Sequence, residues 1–146
     1  MKTKLALALA GLTLGAPGVA LATTVNFTSW TVRTTDGKRH TGIAPGSTFK
    51  HCKSKPVQRV TAIGDYHNAT VGSKYQTHWY VGQLQASSST FHWPHTHGTK
   101  HWTLFRYSGS PLPDGYTYHL YLTQSGHGIG NSWINIATKK KHGKPC

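Results

Sequence analysis

The chain has 146 residues, with 16 Lys and Arg against three Asp and no Glu, and a formal charge of +13 when its 11 histidines are neutral. A glycoside hydrolase needs two carboxylates in matched positions and a calcium site needs several charged oxygens, so the scattered acids Asp36, Asp65 and Asp114 disfavour both. The length suits one domain, not two.

The first 22 residues have the pattern of a secretory signal. Met1-Lys2-Thr3-Lys4 is basic, Leu5 to Leu14 is apolar, and Ala20-Leu21-Ala22 supplies the small residues of a cleavage site. Cleavage is expected to leave a domain beginning at Thr23 with a formal charge of +11, because Lys2 and Lys4 leave with the segment. A secreted or periplasmic location follows from this reading. No later apolar run reaches spanning length, so no transmembrane segment is expected.

Beyond residue 23 no helical periodicity appears. Short runs rich in Thr, Val, Ile, Tyr and Trp, broken by Gly, Pro, Asn and Asp, predict strands. These run over Val25 to Thr34, Lys38 to Ile43, Thr48 to Cys52, Val57 to Ile63, Tyr75 to Leu84, Thr90 to Trp93, Thr99 to Tyr107, Tyr116 to Thr123 and Ser132 to Thr138. Asp36-Gly37, Ala44-Pro45-Gly46-Ser47, Lys53-Ser54-Lys55-Pro56 and Asp114-Gly115 read as turns. Ser87-Ser88-Ser89 reads as a low-complexity patch, and Gly126-His127-Gly128-Ile129-Gly130 as a flexible, tight connection. About eight or nine short strands at this spacing predict an antiparallel β-sandwich, with a small jelly-roll or cupin-like barrel as the alternative.

Alternation along these strands assigns their faces. With Trp and Leu turned inward, His78 and Tyr80, His101, Phe105 and Tyr107, and His119 and Tyr121 all fall on outward positions. Trp93, beside Pro94, is expected to be exposed. With His78, Tyr80, Tyr107 and Tyr121 it forms the expected ligand-binding set, since aromatic faces stack on sugars or bases while Lys and Arg read anionic groups.

The densest chemistry lies in Phe91 to His101, where His92, His95, His97 and His101 crowd together. In extended backbone His95 and His97 point the same way, and with His101 and His119 they would offer a Zn or Cu site. The segment resembles the cupin family, whose first motif has His-x-His followed by Glu and Gly, and whose second has Pro-x-Gly followed by His. Here His95-Thr96-His97 is followed by His101 in place of the Glu and later by Gly109, and Pro113-Asp114-Gly115 precedes His119. The Glu and the leading Gly are absent and His119 falls one residue late. The resemblance implies a metal held in a β-fold. A His pair with Lys could instead serve a metal-free nuclease or toxin, but no spacing selects the pair.

Cys52 and Cys146 are the chain's two cysteines and are expected to form a disulfide. That bond would fix Lys139, Lys140, Lys141 and Lys144 as a basic patch. The leading expectation is a secreted, basic, histidine-rich β domain that binds an anionic surface or glycan without catalysis. Nucleic acid is a further possible partner, and oligomeric state is left open.

Overall fold

The computed structural model describes residues 21–146; the expected signal segment, apart from Leu21 and Ala22, lies outside the described residues. The strands are β1 (Thr24–Thr34), β2 (Arg39–Ile43), β3 (Thr48–His51), β4 (Val57–His67), β5 (Lys74–Val81), β6 (Leu84–His92), β7 (Gly98–Phe105), β8 (Thr117–Gln124) and β9 (His127–Thr138), followed by the short pair β10 (Lys140–Lys141) and β11 (Lys144–Pro145). No helix occurs among the described residues.

A four-stranded antiparallel sheet has the order β2-β1-β4-β7, and a five-stranded sheet the order β3-β9-β8-β5-β6. The second sheet is mixed, because β3 runs parallel to β9. The turn at Ala44 to Ser47 carries the chain from an edge of one sheet to an edge of the other, and is held by Gly46 N–H donating to the Trp133 carbonyl (2.7 Å) and Asn135 N–H donating to that of Ser47 (2.9 Å). Both sheets keep free edges, so the fold is an open β-sandwich and not the closed barrel of the alternative.

Alternation determines the core. β5 turns Tyr75, Thr77 and Trp79 inward, and β8 turns Tyr118, Leu120 and Leu122 inward. These meet Trp30 and Val32 of β1, Val60 and Ala62 of β4, and Trp102 and Leu104 of β7. Each buried indole removes about 200 Å² from water, a gross gain of roughly 5 kcal/mol, provided its N–H finds a partner. Trp30 Nε1 donates to Ser132 Oγ (2.8 Å) and Trp102 Nε1 to the Tyr75 hydroxyl (3.1 Å), so both bonds cross between the sheets. Burial pushes the Tyr75 phenol up to about 12 despite that bond.

Two predicted irregular segments are strand. Ser87-Ser88-Ser89 lies in β6, paired with His78 and its neighbours on β5. The glycine-rich run opens β9, and its glycines are required by close packing. A Cβ on Gly130 would lie 2.9 Å from Val25 Cβ, and one on Gly128 would lie 2.5 Å from the Tyr121 hydroxyl. The turn itself is Ser125-Gly126, both at positive φ, as a two-residue hairpin requires.

The Cys52–Cys146 disulfide is formed, with its Cα atoms 4.8 Å apart. Lys139 N–H donates to the His51 carbonyl (2.6 Å) and Lys53 N–H to that of Cys146 (2.7 Å), so the β10–β11 hairpin is tied to β3. Beneath it the buried His51 places each ring nitrogen against an acceptor, the Cys52 carbonyl (2.9 Å) and Asp114 Oδ1 (2.7 Å).

Candidate binding surface

The outer face of the five-stranded sheet collects residues that alternation assigned outward. Register places Tyr121 between Asn131 and His78, and His119 between Trp133 and Tyr80. The outcome is a checkerboard of two rows, Asn131–Tyr121–His78 and Trp133–His119–Tyr80. Neighbouring rings stand apart and tilted: His119 lies 6.1 Å from Trp133, 6.4 Å from Tyr80 and 6.4 Å from Tyr121, and His78 lies 6.3 Å from Tyr121. None stacks face to face on another.

Hydrogen bonds set the imidazoles in place. His78 shares one bond with Thr123 Oγ1 (2.9 Å) and a longer one with Ser88 Oγ (3.4 Å), and His119 Nε2 lies 3.4 Å from Asn131 Oδ1. Trp133 rests against the backbone of Gly46, where a Cβ would come within 3.6 Å of the indole. Its exposure of 46% is high for a tryptophan and makes it the prominent apolar group on this face.

Sequence reasoning expected the exposed tryptophan to be Trp93, and that is corrected: Trp93 is 1% exposed. Its ring lies between those of Tyr75 (3.9 Å) and Tyr66 (4.5 Å), and its indole donates to Gln124 Oε1 (3.4 Å). Backbone bonds from Gly72 N–H to the Trp93 carbonyl and from Trp93 N–H to that of Ser73 draw the loop onto the end of the sandwich. Trp133 was absent from the expected set although its signal was present: in Ser132-Trp133-Ile134-Asn135-Ile136, turning the isoleucines inward turns the indole outward.

Tyr107 is also separated from the other predicted residues. It follows β7 in the opposite sheet, fully exposed and 5.2 Å from Phe105. It borders an open cleft of about 620 Å³ between edge strands β6 and β7, lined by Phe91, Lys100, Trp102 and Arg106 among others.

The expected metal set does not assemble. His101 points outward from the four-stranded sheet and His119 from the five-stranded one, on opposite sides of the sandwich, while His95 and His97 sit in the β6–β7 loop. Among the described residues no group of three or more His, Cys, Asp or Glu side chains is placed to hold a metal ion. The geometry that the cupin resemblance implied for Zn or Cu is therefore not formed. The tail lysines Lys139, Lys140, Lys141 and Lys144 are exposed on and beside the terminal hairpin.

The acids are used within the fold. Asp36 accepts from Thr34 Oγ1 (2.6 Å) and Lys38 N–H (3.1 Å), which hold its carboxyl below the usual value. Asp65 accepts from Thr99 Oγ1 (2.6 Å), and Asp114 from His51 and Thr138. No described helix is long and apolar enough to cross a membrane. Together these features define a small, disulfide-tied β-sandwich protein with one aromatic and imidazole-rich face. No protein-family model matches the chain, and no curated protein matches it in sequence.

Proposed function

We propose that the protein binds an anionic polysaccharide of a cell envelope or extracellular matrix, without catalysis, through the outer face of its five-stranded sheet. The observation that carries this reading is the half-exposed Trp133 beside the partly exposed His119, Tyr80, Tyr121 and His78 on one sheet face. Sugar rings present apolar faces to Trp and Tyr, and their hydroxyls take hydrogen bonds from imidazole and Asn131. The large basic excess attracts carboxylate or sulfate groups at a distance, and the tethered lysine tail adds to that field. The engagement of all three aspartates in structural hydrogen bonds favours binding over hydrolysis. On this reading residues 1–22 export the chain and the disulfide suits an oxidising compartment.

Retention on immobilised polygalacturonate provides the test. The full-length mature protein should be held at low ionic strength and released as salt rises, and Trp133→Ala should elute earlier although its charge is unchanged. Absence of retention at low salt, or identical elution of the variant, would overturn the proposal.

A further inference from the structure

The opposite face of the sandwich carries a second arrangement, formed from residues far apart in the sequence. In the four-stranded sheet Arg33 of β1 is paired with Arg39 of β2 on one side and with Arg59 of β4 on the other. All three side chains are exposed on the outer face, one per strand, in a row across neighbours about 4.8 Å apart. The adjoining row is Thr31, Thr61 and Thr103, and beyond it His101 stands at the edge of the sheet on β7. Together these seven residues line a groove of about 240 Å³. Thr31 forms its floor, only 6% exposed although it lies on the outer face, and Thr61 and Thr103 share a hydroxyl bond of 2.9 Å.

Like charges directly opposite each other in a sheet repel, and among the described residues no carboxylate is ion-paired with these arginines. The ion pairs there are His51 with Asp114 and Lys55 with Asp36, and neither reaches the groove. Asp65 lies on the outer side of β4 six residues beyond Arg59, roughly 20 Å along the strand from the arginine row, and two residues beyond Ile63, the partner of His101, so it faces only the His101 end of the groove. Arg59 additionally lies 4.9 Å over the Phe105 ring, which fixes the guanidinium at the groove wall. Three planar guanidinium forks offer more N–H donors than the two oxygens of a carboxylate accept, but they match the three terminal oxygens of a sulfate or phosphate ester.

We propose that the groove of Arg33, Arg39, Arg59 and His101, floored by Thr31, Thr61 and Thr103, seats a tetrahedral oxyanion ester carried on a glycan. The floor is hydroxyl and none of the seven lining residues is Phe, Tyr or Trp, so the groove itself lacks the aromatic platform on which single-stranded nucleic acid stacks. The glycan carrier rests on the proposed function, whereas the anion seat goes beyond it and lies on the other side of the molecule.

Thermal unfolding of the full-length mature protein tests the proposal, with low-millimolar sodium sulfate, sodium phosphate and sodium chloride compared at equal ionic strength. Sulfate or phosphate should raise Tm saturably above chloride. Arg33→Gln should raise the anion-free Tm, because it relieves repulsion, and should lose the anion-dependent shift. Arg39→Gln on the edge strand should lose that shift as well, and serves should Arg33→Gln fold poorly. Equal anion shifts in wild type and both variants would overturn the site. In a second arm, a dextran sulfate octasaccharide and a phosphorylated oligosaccharide distinguish the two esters, and each binds at least ten-fold more weakly to Arg33→Gln if its ester is the one seated. Loss of affinity for neither overturns the glycan assignment, as does tighter binding of a single-stranded oligonucleotide of matched charge. Trp133→Ala should retain the anion shift, so failure here and failure of the proposed function are read from different variants.

Discussion

Replacing both cysteines by serine removes a cross-link between residues 94 apart in sequence. For a loop of that size the chain-entropy treatment gives about 4 to 5 kcal/mol at 25 °C, because the unfolded chain regains the freedom the bond denied it. In a domain of this length such a loss lowers Tm by on the order of 15 °C. The native tail still has Lys139 N–H on the His51 carbonyl, Lys53 N–H on that of Cys146 and Cys146 N–H on that of Lys139. Each contributes only about 1 kcal/mol, so the β10–β11 hairpin should fray first. Guanidinium unfolding followed by tryptophan fluorescence is the assay: the midpoint should fall and the m-value should rise, since the uncrosslinked chain exposes more surface. A loss below about 1 kcal/mol with an unchanged m-value would refute the claim that the bond acts on the unfolded chain.

Three further outcomes follow from the packing and the carboxylates. Trp93→Ala should cost about 3 to 5 kcal/mol in denaturant unfolding, as expected for a buried indole stacked between two tyrosines, while polygalacturonate binding by the folded fraction is unchanged; a loss under about 1 kcal/mol would place the ring at the surface. Gly130→Ala should destabilise by about 1 to 3 kcal/mol in the same assay, because the new methyl meets Val25 Cβ and its carbonyl at 2.9 Å; a neutral result would mean that β1 and β9 yield easily. Burial alone would raise the Asp114 carboxyl, but hydrogen bonds from Thr138 and His51 and the charge of His51 outweigh it and hold the group below its usual value of 3.8. A carboxylate lowered in the folded state stabilises the fold above its unfolded value, and that stability is lost as pH falls through the folded one. Acid titrations of stability should therefore converge for wild type and Asp114→Asn below that range and separate above it, and parallel curves would refute the linkage.

Much of the sandwich was legible because alternation in β5, β7 and β8 is strong: Trp79, Trp102, Leu104, Leu120 and Leu122 all point inward, as their spacing implies. The same rule correctly turned His78, Tyr80, His119 and Tyr121 outward. It could not say which strands share a sheet, and so it grouped His101 and Tyr107 with a face on the opposite side of the molecule. Trp93 was misplaced because loop burial depends on tertiary partners, here Tyr66 and Tyr75, which local spacing does not reveal. The glycine run read as flexible because close approach of Val25 and Tyr121 is a three-dimensional demand. The sequence held no run of arginines, yet pairing of β2, β1 and β4 places Arg39, Arg33 and Arg59 side by side. Register across long separations is what composition and periodicity leave out.

The aromatic face is the centre of the functional account, and NMR titration with an oligogalacturonate tests it most directly. Saturable shifts are expected at the Trp133 indole N–H and at His119, Tyr80, Tyr121 and His78, with affinity at least ten-fold weaker in Trp133→Ala, as for an exposed aromatic anchor. Shifts that bypass Trp133, or an unchanged affinity in the variant, would contradict it.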